Sequence, residues 1–113
     1  FLYVGMAWSH RDETNPRATG VFGRLKSHAS GRRSGDQFAV YVCDRFVLPT
    51  LTSADMSALA RGARILDART RQYVWDHLSY RVVVTRDGPS ARALETLVRK
   101  EGLPRGGRPM INP

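Results

Sequence analysis

Apolar positions change their spacing along this chain, and the changes mark its elements. Phe1 to Ala7 is apolar and rich in β-favouring residues, which predicts a buried strand. Trp8 to Gly20 is polar, holds Asn15-Pro16 and lacks apolar periodicity, as a loop does. Val21, Phe22, Leu25 and Ala29 recur at helical spacing, and Gly31 closes a short helix. Ser30 to Gly35 sets Arg32 and Arg33 between glycines, the composition of a flexible basic loop. Gln37 to Cys43 is a second apolar run and predicts a second strand. Thr52 with Asp55 three residues on marks a helix start, and Gly62 a stop. Asp67 can cap a helix reaching about Leu78, with Tyr73, Val74 and Leu78 inward. Tyr80 to Thr85 is β-branched and predicts a third strand. Pro89 and Ser90 open a last helix that ends at Gly102, and a Gly/Pro-rich tail runs from Leu103 to Pro113. Interleaved strands and unequal helices predict an α+β fold, a small mixed or antiparallel sheet flanked by helices.

Length and charge narrow the function. At 113 residues the chain is expected to form one domain, residues 1–113. A net charge of +8 favours polyanionic partners, nucleic acid foremost. One cysteine rules out an internal disulfide framework and a cysteine-based zinc site, and Cys43, inside an apolar run, reads as a core residue. No apolar stretch approaches the roughly 20 residues of a membrane span, and no secretory signal opens the chain, so the cytoplasm is the expected compartment. Phe1 is not an initiator methionine and already reads as strand, so the natural protein is expected to continue upstream.

Three places offer chemistry. On the first helix Val21, Phe22, Leu25 and Ala29 fill the inward arc, with Arg24 and His28 about 40° apart on its flank. The guanidinium can fork onto a phosphate, and the imidazole can move a proton. On the last helix Ala91, Leu94, Leu97 and Val98 form the buried stripe, and Glu95 stands at its edge as a candidate ligand for a hard divalent cation. In the first strand Tyr3 and Gly5 share a face, so the glycine leaves room beside the phenol. Trp8 and Trp75 are expected to pack, and His10 and His77 show no metal-ligand spacing.

Taken in order, these residues resemble the GIY-YIG nuclease family. Tyr3-Val4-Gly5 matches the second hallmark strand, Arg24 and His28 the helix after it, Glu95 the metal-binding glutamate, and Pro109-Met110-Ile111-Asn112 the asparagine near the end. The first hallmark strand is absent, consistent with a truncated start. The resemblance implies a divalent-metal-dependent endonuclease acting on double-stranded DNA, with Mg²⁺ or Mn²⁺ held by Glu95. Arg24 would offset charge at phosphorus, Tyr3 help deprotonate water, His28 relay the proton and Asn112 fix the geometry. Gly5, Lys26, Arg32, Arg33, Arg105 and Arg108 are the expected nucleic-acid contacts. The alternative is a module of the same fold that binds nucleic acid without cutting it.

Overall fold

The structure, a computed structural model, describes residues 1–7 and 20–111. Among them are five α-helices: α1 (Gly20–Ala29), α2 (Gln37–Val42), α3 (Ser53–Ala60), α4 (Leu66–His77) and α5 (Gly88–Glu101). A π-helical turn, Cys43–Val47, and a 3-10 turn, Leu48–Thr50, extend α2 toward α3. No strand occurs among the described residues; one antiparallel bridge joins Leu103 to Gly107 within the tail. The expected α+β fold with a central sheet is therefore corrected to a helical one. The GIY-YIG-like architecture, which needs that sheet, is not present in the described residues.

Each predicted strand departs for its own reason. In the second, Asp36 takes extended backbone and its carboxylate accepts from the Phe38 N–H at 3.1 Å, the contact of a helix N-cap. From there Phe38, Ala39, Val42, Cys43 and Val47 are buried, a spacing that keeps one helical face inward. A short unbroken apolar run satisfies either period, and the cap decides it. The first, Phe1–Ala7, is irregular and gains two backbone hydrogen bonds, from Met110 N–H to the Phe1 carbonyl and from Ile111 N–H to the Leu2 carbonyl. The third, Tyr80–Thr85, is also irregular, and no backbone hydrogen bond of residues 79–86 occurs among the described residues.

The chain divides into two compact units. One comprises Phe1–Arg24 with Tyr80–Pro113, the other Leu25–Ser79, and the boundary falls within α1. In the Leu25–Ser79 unit the helical run from α2 through the π-helical turn supplies the core, and α4 packs against both. Cys43 is fully buried there. Gly31 closes the loop after α1 with φ +67°, and a β-carbon there would overlap the α4 backbone at Asp67 and Arg71. In the other unit Val98 of α5 and Ile111 of the tail are buried.

The inward faces differ from those expected. On α1 the buried residue is His28, while Phe22 is 79% exposed and Val21 is exposed as well. On α5 the less exposed line runs through Ala91, Glu95 and Val98, at i, i+4 and i+7, and Leu94 and Leu97 are exposed. Trp75, expected to pack, is largely exposed and donates its indole N–H to the Ala29 carbonyl at 3.1 Å.

Candidate functional site

The unit that holds Phe1–Arg24 and Tyr80–Pro113 brings two of the expected residues together. The Arg24 guanidinium points at the Tyr3 hydroxyl at 3.4 Å, a long and exposed contact. Gly5 lies under the phenol: a β-carbon there would come within 2.8 Å of the Tyr3 ring. The glycine thus makes room for the ring without the strand from which that room was expected. Glu95 sits half-buried on α5, and no hydrogen bond or ion pair links it to Tyr3 or Arg24 among the described residues. Asn112 lies outside the described residues, as do Trp8 and His10.

The C-terminal part of the same unit holds more basic than acidic residues. From Tyr80 to Ile111 there are seven Lys or Arg and three Asp or Glu. Of the three acids, Asp87 is already engaged. It caps α5 by accepting from the Ser90 N–H at 2.8 Å, and it also takes Arg86 Nε at 3.0 Å. The Ser90 contacts, then Arg86, hold its carboxyl below the usual range. In the tail the Gly106 and Gly107 N–H groups both donate to the Leu103 carbonyl, which folds Leu103–Gly107 into a tight turn. Gly102 (φ +84°) ends α5 against the Gly107 and Arg108 backbone, where no side chain would fit. This turn and Arg81 frame a shallow cleft of about 430 Å³, lined by Arg81, Leu103, Pro104, Arg105 and Gly106. Two arginines and no acidic residue are among its lining residues. Arg81 was missed by sequence reasoning because it falls inside an apparent strand; Arg105 was expected.

In the Leu25–Ser79 unit the expected residues take structural partners. His28 Nδ1 lies 2.8 Å from Asp36 Oδ2, Ser27 Oγ donates to the same carboxylate at 3.1 Å, and the imidazole rests against Phe38 with ring centroids 4.4 Å apart. Burial alone pushes the Asp36 carboxyl up, but hydrogen bonds and charge from His28, with Ser27 and the Phe38 N–H, outweigh it and hold the group low. His28 therefore ties the end of α1 to the start of α2. Arg33 Nε donates to Asp67 at 2.9 Å, which lowers the Asp67 carboxyl chiefly through that bond. Lys26 and Arg32 are exposed. A second cleft, of about 410 Å³, lies along α4, with Phe46 stacked on Tyr73 at 5.2 Å and His77 tilted against Tyr73 at 4.7 Å.

No group of three His, Cys, Asp or Glu side chains that could hold a metal ion occurs among the described residues. A cation at Glu95 would have to complete its shell from water and phosphate, as Mg²⁺ does in many phosphoryl-transfer sites. No described helix is long and apolar enough to cross a membrane. Compared with family models, with curated proteins and with solved structures, the chain has no significant match.

Proposed function

We propose that this protein binds nucleic acid along the phosphate backbone, without reading sequence, through the arginine-rich surface of the unit that contains α5. The observation that carries this reading is the cleft with Arg81 and Arg105 on its walls and no acidic group among its lining residues. Guanidinium forks match phosphate oxygens two at a time and keep their charge at any working pH. Arg108 and Arg92, exposed in the same unit, extend the cationic surface. Contacts of this kind release counterions, so affinity falls steeply with salt.

Fluorescence anisotropy of a labelled duplex, titrated at several salt concentrations, tests the proposal. Binding at low salt is expected, with the logarithm of affinity falling linearly against that of salt. The double variant Arg81→Ala/Arg105→Ala should reduce that slope by about 2, roughly one per lost phosphate contact. Absence of binding at low salt, or an unchanged slope in the double variant, defeats the reading.

The placement of Arg24 against Tyr3 over Gly5 favours a second reading, in which the protein also cuts the bound strand with Mg²⁺ or Mn²⁺ at Glu95. Supercoiled plasmid and Mg²⁺ decide it. Nicking that disappears in Glu95→Ala and Arg24→Ala while binding persists establishes hydrolysis, whereas binding with no nicking removes it.

A further inference from the structure

The segment Tyr80–Thr85 has the composition of a strand and none of its pairing. Tyr80 is 70% exposed, Val82 47%, Val83 72% and Val84 90%. No backbone N–H or carbonyl of residues 79–86 is engaged in a backbone hydrogen bond among the described residues. Three consecutive β-branched residues favour extended backbone and lose little on being fixed there. An exposed, unpaired, apolar stretch of this kind is a template for another strand, and chains ordinarily protect such edges.

We propose that Tyr80–Thr85 pairs antiparallel with the same segment of a second copy of this chain, in the register that sets Val83 opposite Val83. The register follows from self-complementarity. Two-fold symmetry about Val83 places Val82 across from Val84 and Val84 across from Val82, so all three valines meet valines. Arg81 then faces Thr85, and Tyr80 faces Arg86, whose guanidinium can lie over the phenol ring. A shift by one residue in one direction brings Arg81 opposite Arg86, a like-charge pair. A shift in the other direction, or by two either way, breaks up the valine pairs. Only the register centred on Val83 combines full valine pairing with no facing charges. Side chains alternate along a strand, so Arg81, Val83 and Thr85 share one face and Tyr80, Val82, Val84 and Arg86 the other.

The partner's charge also shapes how the pair behaves. Two chains of +8 repel at long range, so this association is expected to strengthen as salt rises. Nucleic-acid binding through phosphates weakens under the same change. The two properties separate in one experiment, and the self-pairing does not depend on the proposed function.

Analytical ultracentrifugation of the whole chain, over a concentration series at low and high salt, is the first test. Reversible dimer formation that increases with salt is expected, as is its loss in the double variant Val82→Pro/Val83→Pro, which removes a pairing N–H whichever alternate set faces the partner and leaves the helices intact by circular dichroism. Register is tested with cysteine variants under oxidised glutathione; the native Cys43 is fully buried and does not compete. Val83→Cys should cross-link to itself rapidly. Val82→Cys alone should cross-link slowly, and a mixture of Val82→Cys with Val84→Cys efficiently. A chain that stays monomeric up to its solubility limit at both salts overturns the proposal. So does a Val82→Cys self-cross-link faster than that of Val83→Cys, or an association that appears only when nucleic acid is added.

Discussion

At Gly31 two constraints coincide, and they can be separated by comparison with Gly35. Both glycines have left-handed backbone, φ +67° and +81°. A β-carbon at Gly35 would meet open space, whereas one at Gly31 would overlap the backbone of Arg71 and Asp67 in α4. Gly35→Ala should therefore cost only the conformational penalty, about 1–2 kcal/mol. Gly31→Ala should cost about 2 kcal/mol more, because α4 backbone cannot yield as a flexible side chain would. Urea unfolding of the two variants measures the difference, and equal losses would show that α4 does not approach as described. Asp36 presents a different single-residue test. Its carboxyl is held below its ordinary value, so it stabilises the fold above the unfolded pKa of about 4, and that stabilisation is lost as pH falls through the lower folded value. Asp36→Asn should lower stability at neutral pH and flatten the decline below about pH 4, read from unfolding midpoints across an acid series. A variant with an unchanged acid limb would place the acid sensitivity elsewhere.

Among the elements, those announced by local side-chain chemistry were legible and those defined by long-range pairing were not. Thr52 and Asp55 announce α3, and the structure closes the full capping box: Thr52 Oγ1 accepts from the Asp55 N–H at 3.2 Å while Asp55 accepts from the Thr52 N–H at 2.9 Å. Thr52→Ala should cost about 1 kcal/mol in thermal or chemical unfolding. A negligible loss would mean that α3 is held by other contacts. Gly102 likewise stops α5 where expected, and Pro89 and Ser90 lie in the first turn, with Asp87, one position before Gly88, as the cap. Asp67, expected to cap α4, stands inside its first turn and pairs with Arg33 instead. The three β-branched or apolar runs predict strands by composition alone, and the neighbours a strand needs cannot be seen in its own residues. Asp36 was the available signal for α2, an N-cap residue directly before the run, and Phe38, Ala39, Val42 and Cys43 fit the helical period once it is recognised. For the candidate site, Tyr3, Gly5 and Arg24 came together, while the His28 imidazole pairs with Asp36, eight residues on. A polar residue eight positions downstream gives no periodic cue, so that partnership was invisible in the helical arithmetic that paired His28 with Arg24.

At the scale of the molecule, burial among the described residues is distributed unequally, and the inequality has a measurable consequence. Phe38, Ala39, Val42, Cys43 and Val47, with His28, Asp36 and Thr70, are all buried in the Leu25–Ser79 unit. Among its described residues the other unit buries Val98 and Ile111 and leaves Leu94, Leu97 and the Tyr80–Val84 segment exposed. Apolar burial is worth roughly 25 cal/mol per Å² removed from water, so the stability of the chain is concentrated where those side chains are. Local opening then ranges from nearly free to nearly global along one chain. Native-state hydrogen exchange should show the slowest amides in α2, the π-helical turn and α4. It should show faster exchange in α5 and the fastest in residues 79–86, which have no backbone acceptor among the described residues. The contrast also tests the self-pairing. Raising protein concentration at high salt should slow exchange at alternate residues of the Tyr80–Thr85 segment, because only alternate N–H groups face the partner in an antiparallel pair, and should leave α2 unchanged. Uniform protection along both units would show that stability is shared evenly, against the burial pattern described.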